Sequence, residues 1–154
     1  MIDTPSCTLI QPALTTSSSS EEETIEIAKG LSRLLRAGDI VALQGPLGAG
    51  KTTFIKGLIG ALCHTDRNAI TSPTFTYMNI YEAEVPVHHF DLYRITSDDQ
   101  FLMLGLNDYI NDESISLIEW PEKASAHTSC ANVRIEVSYQ GTHERLIVIQ
   151  RNTA

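Results

Sequence analysis

Hydrophobic positions recur along the chain with two different spacings. Ile27, Ala28, Leu31, Leu34 and Leu35 fall three or four residues apart, the period of one helix face. Ser20 followed by Glu23 has the form of a capping box, and Glu21, Glu22 and Glu23 suit the positive end of a helix. Gly38 stops that helix. Ile40-Val41-Ala42-Leu43 is then a short unbroken apolar run, the pattern of a strand buried on both faces of a parallel sheet. A second helix is predicted from about Thr52 to Leu62.

Further on the spacing changes. Phe75 to Tyr81 alternates and is rich in aromatic and β-branched residues. Val85-Pro86-Val87-His88-His89-Phe90 follows a polar break, and the pair predicts a hairpin. Ser97-Asp98-Asp99-Gln100 is a second capping box, opening a helix through about Leu104, and Asp108 to Asn111 predicts a short helical turn. Ile115-Ser116-Leu117-Ile118 reads as another buried strand. Val133 to Tyr139 and Arg145 to Gln150 flank Gln140-Gly141-Thr142 and predict a terminal hairpin. No internal repeat interrupts this order. The expectation is one α/β domain over residues 20–154, with strands both parallel and antiparallel and helices flanking the sheet. Residues 1–19, with the serine-rich run that leads into Glu21, are expected to be a flexible N-terminal extension.

Composition narrows the class. The 154 residues are 42% hydrophobic and 19% charged, a globular balance large enough for one core. The net charge is -8, and the 11 Lys and Arg residues are dispersed. A direct grip on nucleic acid draws on clustered cations, so work on RNA is expected to pass through a partner protein. No apolar run approaches the roughly 18 residues that cross a bilayer, and the first residues lack the positive region of a secretory signal. Cys7, Cys63 and Cys130 form no C-x-x-C pair, which fits idle thiols in a reducing cytosol. His64, His88, His89, His127 and His143 are scattered and read as structural or exposed.

The chemistry lies in GPLGAGKTTF at 45–54, which contains G-x-x-x-x-G-K-T between a predicted strand and a predicted helix. Gly45, Gly48 and Gly50 let the backbone turn its N–H groups inward around a phosphate. Lys51 reaches the β- and γ-phosphates in such loops, and Thr52 offers its hydroxyl to Mg²⁺. A nucleotidase also needs an acid at the end of a neighbouring strand. Asp91 ends one candidate strand and Glu119 another, and spacing does not choose between them. Thr71-Ser72-Pro73-Thr74 lies where small P-loop hydrolases carry a switch loop; a proline-fixed turn is an equal reading. No N-K-x-D, L-S-G-G-Q or arginine-rich lid stretch is present, which argues against guanine readout, a transporter-type ATPase and a small-molecule kinase.

Four stretches occur in order: G-P-L-G-A-G-K-T-T-F at 45–54, S-P-T-F at 72–75, H-F-D-L-Y-R at 89–94 and I-E-W-P at 118–121. Together they resemble the bacterial TsaE (YjeE) family of tRNA threonylcarbamoyladenosine synthesis, from about Glu21 to Val148. The resemblance implies a cytoplasmic P-loop ATPase with a mixed central sheet, using ATP and Mg²⁺. It implies action with TsaB and TsaD, where TsaD modifies adenosine 37 of tRNAs reading codons that start with A. The TsaE-like subunit would hydrolyse ATP to reset that complex, touching tRNA only indirectly and no membrane. It implies that Gly45, Leu47, Gly48, Ala49, Gly50, Lys51, Thr52 and Thr53 cradle phosphates, with Lys51 catalytic as well. Thr52 and Glu119 would hold Mg²⁺, and Asp91 would be a catalytic or switch-coupled acid. Ser72 and Thr74 would belong to the switch loop, Glu21 and Arg145 would approach the base or ribose, and Trp120 would sit beside the site or plug it. Pro46 departs from the family's usual Asp, and the extension through Ser19 has no counterpart. Two other classes fit the same motifs: a regulatory module that reads nucleotide occupancy, and a small-molecule P-loop kinase.

Overall fold

The computed structural model describes residues 13–152. Seven strands form a single mixed sheet: β1 (Leu14–Ser18), β2 (Ile40–Gln44), β3 (Met78–Tyr81), β4 (Val87–Asp91), β5 (Ile115–Glu119), β6 (Val133–Tyr139) and β7 (Arg145–Arg151). Their spatial order is β1-β7-β6-β2-β5-β4-β3. The central pairs β6–β2, β2–β5 and β5–β4 are parallel, and β3, β7 and β1 are added antiparallel at the margins. The helices are α1 (Glu21–Ser32), α2 (Lys51–Cys63), α3 (Asp98–Met103) and α4 (Ser125–Thr128).

The apolar run of β2 and that of β5 are buried on both faces, as their lack of alternation predicts. Val41, Leu43, Leu117 and Val87 point to one side, where Ala28 and Leu31 of α1 and Phe54, Ile55, Leu58 and Ile59 of α2 cover them. Phe90 and Ile118 point to the other side, under Phe101 of α3 with Leu92, Ile95 and Leu106. Gly57 sets the closeness of α1 to α2: a β-carbon there would lie 2.8 Å from the Cβ of Ala28.

Both capping boxes form, each reaching one residue further out than the simplest version. Ser20 Oγ accepts from the amide of Glu23, while Glu23 Oε2 accepts from the amide of Ser19. Ser97 Oγ accepts from Gln100, and Gln100 Oε1 accepts from the amide of Thr96.

Several expectations are corrected. Residues 14–18 are not part of a flexible extension: they are β1, paired with β7 from Leu14↔Ile149 to Ser18↔Arg145. The serine-rich composition hid a strand whose stability comes from a partner more than a hundred residues away. Residues 1–12 of that extension lie outside the described residues. Leu34 is 63% exposed, because α1 ends at Ser32 before the helical period would bring it inward. Phe75 is not in a strand. The strand begins at Met78, after a turn in which Tyr77 takes φ 66 and its amide donates to Pro73 O. The turn expected at Asp108 to Asn111 is a 3₁₀ segment at Leu106–Tyr109.

Candidate functional site

The register of three parallel strands assembles the site. Leu43 of β2 pairs with Glu119 of β5, and Glu119 pairs with Asp91 of β4. Two acids on adjacent strands therefore end level with the point where β2 becomes the glycine loop. Alternation along β4 and β5 sends Asp91 and Glu119 to the α2 side of the sheet, together with Val87 and Leu117. Asp91 is 6% exposed and Glu119 3%.

The loop between β2 and α2 requires glycine at its start. Gly45 has φ 153, and a β-carbon there would lie 2.2 Å from the carbonyl oxygen of Val137. At Gly48, with φ 78, a β-carbon would lie 2.8 Å from the Tyr139 hydroxyl, which itself donates to Leu47 O at 3.2 Å. α2 starts after Gly50 with no side-chain cap and no acid in its first turn. Its free amides and positive dipole end thus remain directed at the loop, a ready anion site.

Lys51 is almost buried. Its ammonium donates to Gly45 O and lies 3.4 Å from the ring centroid of Trp120. Burial pulls its pKa below the usual lysine value, and the charges of Glu119, Glu122 and Asp91 offset part of that. Trp120 takes a left-handed backbone, φ 57 and ψ 48, uncommon for a bulky residue. Its ring packs beside Tyr93 with centroids 5.0 Å apart. The ring therefore lies against the loop lysine as well as filling space beside the Phe90 cluster.

Thr52 Oγ1 donates to Glu119 Oε1 at 3.2 Å. The other oxygen, Oε2, meets His89 Nε2 at 2.9 Å. Asp91 is bound differently. Its Oδ2 accepts from Ser72 Oγ at 3.2 Å and Thr74 Oγ1 at 3.3 Å, and its Oδ1 from the amide of Tyr93 at 3.0 Å. The two acids thus have separate surroundings: Glu119 belongs to the loop helix and Asp91 to the segment at 72–74.

A cavity of about 410 Å³ joins these groups, lined by Lys51, Thr52, Thr74, Asp91, Glu119 and Trp120 among others. A second, of about 300 Å³, lies across the loop and is lined by Glu21, Thr24, His143 and Arg145. The two share Gly48, Gly50 and Thr53 as a common wall. Arg145 Nε donates to Ala49 O at 3.1 Å, with its guanidinium over Tyr139. Leu47 is 70% exposed at the loop tip, while Ala49 is buried beneath it.

The residues fit a metal–nucleotide ligand in their donor chemistry. Thr52 and Glu119 offer oxygen, the donor of choice for a hard cation. Among the described residues no group of three or more His, Cys, Asp or Glu side chains makes a complete metal site. Mg²⁺ is commonly held by one or two protein oxygens together with phosphates and water, a donor type that Thr52 and Glu119 share. No described helix is long and apolar enough to cross a membrane, and Cys63 and Cys130 are free thiols.

The sequence reading missed His89, which it grouped with scattered structural histidines. Its signal was period two: His89 and Asp91 share a strand face, so a residue two before a candidate acid points into the same site.

Residues 18–147 match the family described as threonylcarbamoyl adenosine biosynthesis protein TsaE. The chain is 34% identical over 132 residues to the tRNA threonylcarbamoyladenosine biosynthesis protein TsaE of Treponema pallidum, covering 86% of this chain and 96% of that protein. It is 36% identical over 127 residues to the protein of the same name from Bacillus subtilis, covering 82% and 78%. The crystal structure of Bacillus subtilis YdiB superposes with a TM-score of 0.74 at 31% identity, covering 92% of this chain and 87% of that one. With a family match over most of its length, relatives at this identity and a shared fold, the chain belongs to the TsaE family.

Proposed function

We propose that the protein is an ATP-binding, ATP-hydrolysing subunit of tRNA threonylcarbamoyladenosine synthesis, acting with TsaB and TsaD in the cytoplasm. As a TsaE-family member it serves the biosynthesis of that modified nucleoside. The observation that carries the ATPase reading is the convergence, in one cavity, of an uncapped helix start, a buried lysine and two separately held acids. Backbone N–H groups of the loop between Gly45 and Thr53 bind phosphate oxygens, Pro46 having none to offer and that of Ala49 donating to Pro46 O, and Lys51 adds the charge aimed at the β- and γ-phosphates. Thr52 and Glu119 would hold Mg²⁺, which supplies charge neutralisation on the phosphates. Asp91, close enough to two hydroxyls to hold them, orients water or takes its proton. The adjoining cavity with Glu21 and Arg145 is on the side left for ribose and base. The chain has no guanine-reading motif, which favours adenine.

The test is ATP hydrolysis by the chain alone and with purified TsaB and TsaD. Partner-stimulated release of phosphate to water is expected. Lys51→Ala abolishes it and weakens nucleotide binding. Asp91→Asn keeps Mg²⁺–ATP binding and lowers turnover by about 10²-fold or more, as loss of an acid–base group does. Normal turnover in folded Lys51→Ala refutes the site. Occupancy without turnover favours the regulatory module, and transfer to an acceptor other than water favours the kinase.

A further inference from the structure

We propose that His89 is the positioning residue for Glu119: it holds one carboxylate oxygen so that the other is presented to Thr52 and the metal. This rests on the reading of Thr52 and Glu119 as Mg²⁺ ligands. The register places it. His89 pairs with Leu117 on β5 and Asp91 with Glu119, so His89 lies two residues back on the neighbouring strand. Its ring is 1% exposed and its Nε2 is 2.9 Å from Glu119 Oε2, while Thr52 engages Oε1. The two oxygens of one carboxylate are thereby given separate tasks.

The other ring nitrogen clarifies what kind of partner His89 is. Nδ1 is buried with no hydrogen-bond partner among the described residues. The His89 side chain is therefore tied to the site through Nε2 alone, and Glu119 is its one hydrogen-bond partner among the described residues. Partners of this kind commonly change metal affinity by about 10–100-fold when removed.

The experiment measures ATP affinity by calorimetry across a Mg²⁺ titration and in EDTA, for wild type, His89→Leu and His89→Gln. His89→Leu is expected to raise the half-saturating Mg²⁺ concentration by about 10–100-fold and to leave affinity in EDTA unchanged. His89→Gln retains a side-chain donor of similar reach and is expected to restore most of that shift. Should His89→Leu fail to fold, His89→Asn, whose amide is too short to reach Oε2, carries the same expectation. A Mg²⁺-dependent wild type beside an unshifted donor-less variant overturns the inference alone. So does an equal shift in the Gln and donor-less variants, or a matching loss of affinity in EDTA. A wild type indifferent to Mg²⁺ overturns the metal reading and this inference with it.

Discussion

Replacing Gly45 by alanine adds one methyl group where β2 turns into the phosphate loop. That methyl carbon would lie 2.2 Å from the carbonyl oxygen of Val137, whereas β-carbons keep at least 3.0 Å from such atoms, so about 0.8 Å must be made up by moving backbone. Val137 is fully buried and locked in the β6–β7 ladder opposite Ile147, so the loop has to give. Alanine must also adopt φ 153. A sparsely populated backbone conformation costs of order 1–3 kcal/mol, and forcing an atom into packed surroundings costs typically about 1–3 kcal/mol more. Gly50→Ala separates the two effects: φ is 103 there, but nothing lies within 4 Å of the added carbon. Urea unfolding of wild type and both variants, at constant m-value, reads the difference. Gly45→Ala should fall below Gly50→Ala by about 1–3 kcal/mol, the overpacking share. Equal losses would refute the close approach of β6 to the loop.

Two further outcomes follow from buried groups. Lys51 has a lowered pKa, first from burial, so the folded chain gives up this proton at lower pH than the unfolded chain does. Between the lowered value and the ordinary 10.5, the unfolded state binds more protons and stability rises with pH. Unfolding of wild type and Lys51→Met compared from neutral to alkaline pH should show wild type gaining on the variant through that window and a constant offset below it; an opposite slope would rule out net desolvation. Gly57→Ala should destabilise by about 1–3 kcal/mol in thermal or urea unfolding despite alanine's better helix propensity, because its β-carbon meets Ala28 at 2.8 Å and Ile25 Cα at 3.2 Å. A stabilised Gly57→Ala would show that α1 and α2 part freely.

The parallel centre of the sheet was legible because β2 and β5 are apolar without alternation, a pattern fixed by burial on both faces. The helix starts were legible because capping is local chemistry, and Ser20 and Ser97 accept as their spacing predicts. β1 was not, because Thr and Ser at an edge carry no signal of a partner as distant as β7. The loop cradle is written in its glycines, but the different surroundings of Asp91 and Glu119 are not: both end strands, level with each other, and only their contacts differ. Glu119 is brought to Thr52 and Asp91 to Ser72 and Thr74 by pairings between strands that no local pattern encodes. The face of His89 was legible from its place two residues before Asp91, but its partner Glu119 depends on which strand lies next to its own.

Trp120 is the chain's one tryptophan, and the Lys51 ammonium lies 3.4 Å from its ring centroid. The protein therefore carries an optical reporter at the phosphate loop without any label. A charge this near an indole shifts and quenches its emission, so whatever draws Lys51 off the ring, or moves Tyr93 beside it, alters the only indole signal the chain emits. Rapid-mixing fluorescence could then follow occupancy of the loop in real time, in the unmodified chain.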